Sequence, residues 1–384
     1  VMSKRKCPVC TCCDTTVLFN YCTQLFDDSP AEGRFELVAC DDCAFIYYDS
    51  PTTQAQWNEF YANHYFIQFY KVRESDIQQK KLLEKSSNFI ISAGLKPNDV
   101  IADVGCGPGH LLTAIKQKGF ENVEGVEVCQ DFFPELESRG ITAIDGVSEA
   151  LPYQNGVLDV VCYSHIIEHL LEPTKTVSEA NRVLKEGGKV YVELPDIEHY
   201  DAVEGVHPLN QFIFEHINHF DLEHLTLLFS QSGFVLEKYE RDEKDKMPIL
   251  RALFKKGKDT YLAKHDALEY SKEKLQLWLK QPLFNTQLID ALIQQRTAVH
   301  VWGISYQTLD RLSLYDGFKC NIVGLYDLDT RKQEKTLKGM KIIHPDLLKH
   351  TPEDDVIFIG VGPSSSFMYS EAVKHNPGCQ VVQL

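Results

Sequence analysis

The chain has 384 residues, 43% of them hydrophobic, with 55 acidic against 39 basic side chains and a formal net charge of −16. That length predicts two or three domains, each with enough apolar residues to bury a core. The acidic balance argues against a nucleic-acid substrate, which needs a basic face to meet phosphates. Without a signal peptide or an apolar run of transmembrane length, a soluble cytoplasmic chain with no membrane partner is expected.

Seven of the twelve cysteines fall in the first 43 residues. Cys7-Pro-Val-Cys10 and Cys40-Asp-Asp-Cys43 are two Cys-x-x-Cys knuckles separated by 29 residues. Each offers two thiolates from one tight turn, and together they supply the tetrahedron that Zn2+ prefers. With short strands expected over Phe35–Ala39 and Phe45–Tyr48, the segment reads as a zinc-ribbon-like unit. Disulfides or free thiols are the alternatives, and a reducing compartment disfavours the disulfides. Cys12 and Cys13 leave the second ligand of the first knuckle open. Four thiolates leave no position for chemistry, so this metal is structural. The aromatic stretch Trp57–Tyr70 either packs a joint between domains or forms a lid, with Tyr65 and Tyr70 as contacts to a bound ligand. A polar helix follows over Asp76–Ala93.

Val100–Lys118 organises the chain. Val100, Ile101, Ala102 and Val104 form a buried strand interrupted by Asp103, and Gly105, Gly107 and Gly109 follow at every second position. Leu111, Leu112 and Ile115 then recur at helical spacing: strand, tight turn, helix. His110 stands where a dinucleotide-binding turn has its third glycine. Asn122–Val128 is a second strand ending on Glu127, 22 residues past Gly105, where a carboxylate can accept hydrogen bonds from a ribose diol. Asp145 closes a third strand and Val157–Ser164 forms a fourth.

Gly-x-Gly-x-Gly after an Asp-bearing strand, the string Ser148–His169 and the segment Arg182–Asp196 resemble the ordered motifs of class I S-adenosylmethionine-dependent methyltransferases. The resemblance implies an α/β Rossmann-like core in which Gly105, Gly107 and Gly109 line the methionine and ribose and Asp103 supports the turn. Glu127 would hold the ribose, and Val128, Ser164 and His165 would complete the cofactor site. Val147 replaces the acidic residue that often meets the adenine amine, leaving Asp145 or Ser148 for that contact.

Gln211–His224 carries the candidate catalytic residues. Asp221 is a good N-cap for a helix over Leu222–Ser232, ended by Gly233, which places Glu215, His216 and His219 on the loop before it. Glu-His at this place resembles the Tyr-x-Glu-His segment of nucleotide-sugar C-methyltransferases. The resemblance gives His216 the role of base and Glu215 that of assisting carboxylate; Ile213 occupies the tyrosine position. His219 is a third catalytic candidate, with a structural role as the alternative, and a His216/His219 metal pair is a further option.

Beyond Arg251 a charged connection (Lys255–Lys264) and a helical stretch (Asp266–Arg296) precede a second α/β set. Its strands are expected at Ala298–Gly303, Ile322–Asp327, Val356–Val361 and Val381–Leu384. Its first turn, Gly303-Ile-Ser305, lacks the dinucleotide glycines and reads as a substrate platform or oligomer scaffold. The expected division is 1–70 (zinc unit and aromatic lid), 71–245 (methyltransferase core) and 246–384 (helical connection and Rossmann-like domain). This order resembles the three-part C-methyltransferases of nucleotide-linked 4-keto-6-deoxy sugars, which implies S-adenosylmethionine, structural Zn2+ and a nucleotide-sugar substrate. O-methylation of a hydroxyl, a non-catalytic adapter and a nucleic-acid methyltransferase are the competing readings.

Overall fold

The computed structural model describes residues 5–64, 77–203, 206–242, 248–258, 261, 265–281, 283, 286–362 and 364–384. Tyr65 and Tyr70 lie outside them. In chain order the N-terminal segment gives β1 (Thr15–Cys22), β2 (Arg34–Cys40), β3 (Ile46–Asp49) and α1 (Gln54–Glu59). After α2 (Ile77–Ile91) come β4 (Ile101–Val104), α3 (His110–Lys116), β5 (Val123–Glu127), α4 (Phe133–Ser138), β6 (Thr142–Asp145), β7 (Leu158–Ser164), α5 (Pro173–Val183) and β8 (Leu184–Pro195). Then follow β9 (Asn218–His219), α6 (Leu222–Gln231), β10 (Phe234–Asp242) and β11 (Ile249–Lys256). The last part holds α7 (His265–Trp278), α8 (Thr286–Gln295), β12 (Ala298–Trp302), α9 (Tyr306–Leu314), β13 (Asn321–Tyr326), α10 (Thr330–Gln333), β14 (Thr336–Leu337), β15 (Met340–Ile343), β16 (Val356–Ile359), α11 (Ser365–His375) and β17 (Gln380–Gln383).

These strands form three sheets. The central one has the order β10-β11-β8-β7-β4-β5-β6, parallel from β8 to β6 and antiparallel at β11 and β10. β4 is buried throughout, Asp103 included, as expected of a central strand of a parallel sheet covered on both faces. The chain leaves β4 toward β5 and β6, then returns on its other side to β7. Such a reversal opens a crevice at the carboxyl ends of the strands. The C-terminal sheet, β14-β15-β13-β12-β16-β17, reverses in the same way beside β12.

The expected boundary at 245 is corrected by β11. Ile249–Lys256 pairs in register with β8 and β10, so the core sheet runs to 256 and Lys255 and Lys256 lie in a strand. The reason is burial: Arg251 inside this strand is fully buried, with its Nε 2.6 Å from Glu193 Oε2. The N-terminal unit also extends beyond its own segment. Its sheet, β1-β2-β3-β9, takes its fourth strand from the segment before α6, with Ile46 paired to His219. Phe35, Tyr48 and Trp57 share one apolar cluster with Phe214, Ile217 and Leu309. Among the described residues no helix is long and apolar enough to cross a membrane.

Candidate active site

Both crevices open into one cavity of about 710 Å³. On the core side the turn after β4 carries Gly105, Gly107 and Gly109 at φ +69°, +52° and +77°, a region costly for residues with a Cβ. A Cβ on Gly105 would lie 2.1 Å from Ile166 Cδ1, and one on Gly109 would lie 2.5 Å from Leu136 Cδ2, whereas Gly107 faces open space. Gly105 and Gly107 line the cavity; Gly109 stands behind it as the N-cap of α3.

Glu127 closes β5 at the cavity wall. Its Oε2 accepts from the Gly107 amide at 2.8 Å, and its Oε1 accepts from the Val128 and Cys129 amides at 2.9 Å each. A carboxylate has about four lone-pair sites, so these bonds leave one for a ligand hydroxyl. A ribose diol can gain its second bond only by displacing a backbone amide. Burial raises the Glu127 pKa against the pull of the three amides. Asp103 does not line the cavity: it is buried behind the turn, its Oδ1 lacks a hydrogen-bond partner, and burial with the Glu127 and Glu193 charges pushes its carboxyl far above the carboxylate range.

Val128, Val147, Ser148, Ser164 and His165 line the cavity. Of the two residues left open for the adenine contact, Ser148 reaches the cavity, while Asp145 is exposed at the sheet edge and accepts from Gln130 Nε2 at 3.1 Å. His165 holds a left-handed φ of +56° and sits between two carboxylates, with Nδ1 3.3 Å from Glu168 and Nε2 3.5 Å from Glu193. Burial lowers its pKa, but those bonds outweigh burial and carry it up to about 10.

The opposite wall comes from the loop before α6. Phe212, Phe214 and Ile217 anchor that loop in the aromatic cluster, and Ile213, Glu215 and His216 between them face the cavity. Burial and the nearby Asp310 push the Glu215 carboxyl up to about 8. Burial, with His169, His219 and His165 nearby, holds the His216 imidazole well below its ordinary value, so it is neutral. His216 Nδ1 has no hydrogen-bond partner. The expected Glu215–His216 partnership takes a different form. The Glu215 backbone carbonyl accepts from His169 Nδ1 at 2.9 Å, and the His169 ring meets the His216 ring edge-on at 4.9 Å.

His219, the third catalytic candidate, does not line the cavity. It lies in β9, bonded through Nδ1 to the Tyr200 hydroxyl at 3.2 Å and packed 4.3 Å from the Phe212 ring. Burial takes its pKa down to about 3. Sequence reasoning missed His169, which lines the cavity beside Tyr61. The core contains four Glu-His pairs, ending at His169, His199, His216 and His224, and their spacing does not show which would meet. The third wall belongs to the C-terminal unit: Gly303, Ser305, Tyr306, Asp327 and Lys332.

Away from the cavity, Cys7, Cys10, Cys40 and Cys43 bring their sulfurs within 4.8 Å of one another. The Cys7–Cys43 and Cys10–Cys40 separations are 3.7 and 3.4 Å, close to the ~3.8 Å that tetrahedral Zn–S bonds of ~2.3 Å require. The donor set therefore fits Zn2+. Cys12 stays out of the group, its sulfur accepting from the Asp14 amide.

Residues 77–239 match the family described as "Methyltransferase domain". Among curated relatives, the ubiquinone/menaquinone biosynthesis C-methyltransferase UbiE of Campylobacter jejuni is 30% identical over 122 residues, 28% of this chain and 50% of its own length. The ubiquinone biosynthesis O-methyltransferase of Pseudomonas aeruginosa is 33% identical over 111 residues, 26% of this chain and 45% of its own. The match thus spans half or less of these relatives. The solved YcgJ protein of Bacillus subtilis superposes with a TM-score of 0.38 at 13% identity, covering 46% of this chain and 100% of its own. The central sheet of this chain has the class I Rossmann-like α/β arrangement, and the methyltransferase-domain match over residues 77–239 supports an enzyme.

Proposed function

We propose that this protein transfers a methyl group from S-adenosylmethionine to a carbon beside the ketone of a nucleotide-linked deoxy sugar. The observation that carries this reading is one cavity with the glycine turn and Glu127 on one wall and His216 on the other. The core residues fit the donor: Gly107 leaves space that a Cβ would fill, and Glu127 retains an acceptor site at the cavity. When bound, that donor supplies an electrophilic methyl on a sulfonium.

The chain's own work is alignment and proton removal. His216, a neutral imidazole, takes the proton from the carbon next to the ketone, leaving an enolate as the nucleophile. Glu215, protonated at neutral pH through burial, donates a hydrogen bond to the developing oxyanion, as other buried carboxylic acids do. Ile213 offers no hydroxyl where the resemblance has tyrosine, and Tyr61 brings one to the same corner from α1's end of the aromatic stretch. Gly303, Ser305 and Tyr306 of the C-terminal unit face the space left for the rest of the substrate. The four-cysteine group holds a structural Zn2+ in a reducing, cytoplasmic setting.

The test incubates the protein with methyl-labelled S-adenosylmethionine and a panel of keto-sugar nucleotides, then locates the label. Label on carbon supports the reading. Label on oxygen selects the O-methyltransferase alternative, toward which the Pseudomonas relative's name points. His216→Ala is expected to keep donor binding and lose about 10²–10⁴-fold in turnover; an adapter would be unaffected.

A further inference from the structure

We propose that Glu168, His169 and His216 form a second metal site, for a divalent transition ion of the Zn2+ or Co2+ class, opening into the cavity. One ligand atom from each of the three lies within 4.8 Å of the others. Two imidazoles and a carboxylate are a donor set for such ions, with coordination positions left over. Glu168 and His216 are 1% and 6% exposed.

Each of the three residues keeps an atom that can ligate, and His169 Nε2 already lies 3.9 Å from Glu168 Oε1. Glu168 Oε1 faces His165 Nδ1 at 3.3 Å, while Glu168 Oε2 has no partner. His169 donates from Nδ1 to the Glu215 carbonyl, which fixes the tautomer with its lone pair on Nε2. Holding one imidazole nitrogen so that the other can ligate is how metal-binding histidines are oriented. His216 Nδ1 is buried and unpartnered. Buried polar atoms without partners are unfavourable, and a cation bound by the three residues would relieve them. A four-coordinate ion with bonds of about 2.0–2.1 Å needs donors about 3.4 Å apart, so binding would draw together atoms that now lie within 4.8 Å of one another. The open positions face the cavity that His169 and His216 line.

Binding does not depend on the proposed methyl transfer, but one consequence rests on it. An ion on His216 Nδ1 leaves the ring proton on Nε2, so a metal-loaded His216 cannot accept a substrate proton. Loading the site therefore silences the base.

The test is equilibrium dialysis of the full-length protein against micromolar ZnCl2, with metal content read by mass spectrometry. The wild type is expected to hold one equivalent on its cysteines and a second on this site. Glu168→Gln and His169→Ala are expected to keep the first and weaken the second by about 100-fold or more, beyond what a lost supporting contact costs. Circular dichroism and donor binding by calorimetry check that both variants are folded, and the near-isosteric Glu168→Gln decides if His169→Ala is not. Cobalt absorption separates the sites, since only the cysteine site gives sulfur-to-metal charge transfer. No second equivalent in the wild type, or one that persists in the folded variants, overturns the proposal. A second equivalent in a protein that methylates no keto sugar leaves the metal site standing and removes the proposed function.

Discussion

The molecule contains two Rossmann-like units that face each other across one cavity, and the same elements are put to different use. Each begins with strand, turn and helix, and each ends its second strand on an acidic residue, Glu127 in the first and Asp327 just past β13 in the second. Each carboxylate steadies its turn: Glu127 accepts from the Gly107 amide and Asp327 from the Ile304 amide at 2.8 Å. The difference is the counter-charge. Asp327 Oδ2 is 2.9 Å from Lys332 Nζ, both side chains being 3% exposed, whereas no cation pairs with Glu127 among the described residues. The helix starts differ as well. α3 begins on Gly109 with no side-chain cap, while the Ser305 hydroxyl caps α9 by accepting from the Thr308 amide at 3.1 Å. Topology places an acid at the crevice twice, and internal pairing with a cation engages only the second.

That comparison can be broken by exchanging what differs. The largest effect is expected from Asp327→Asn, which leaves Lys332 buried without its partner and costs about 3–5 kcal/mol of stability. It should lower the denaturation midpoint while leaving donor affinity nearly unchanged. Glu127→Gln is expected to do the reverse. It removes a charge-assisted acceptor worth about 1.5–3 kcal/mol, so calorimetry should show donor affinity about 10- to 100-fold weaker. Equal losses of affinity in both variants would mean that the second unit also holds the donor.

Gly105→Ala meets both a left-handed φ and Ile166, and is expected to cost about 1–2 kcal/mol together with donor binding. Gly303→Ala has its own strain, at φ +95°, but meets the flexible Met368 side chain at 2.8 Å, so thermal unfolding should shift with donor binding intact. The smallest effect is expected from Ser305→Ala, about 1 kcal/mol of lost helix capping. It should be visible in unfolding of the second unit and absent from donor titrations.

The sequence alone determined the local features. Alternating glycines, an apolar strand before them and the Asp221 cap are short-range patterns whose physics lies within a few residues, and the structure has each where it was expected. The two cysteine knuckles were equally legible as pairs, although it took the fold to bring Cys10 rather than Cys12 to Cys40 and Cys43. Contacts across more than a hundred residues were decided only by tertiary structure. Nothing near Arg251 shows that it must meet Glu193, so the chain's local pattern does not reveal that the core sheet runs to 256. Nothing near His219 shows that it will pair with Ile46 and be buried among rings instead of facing substrate. His169 comes beside His216 because the turn after β7 and the loop before α6 meet at one crevice. A side chain's chemistry is written in its type, but its partners depend on strand order, which sequence periodicity does not encode.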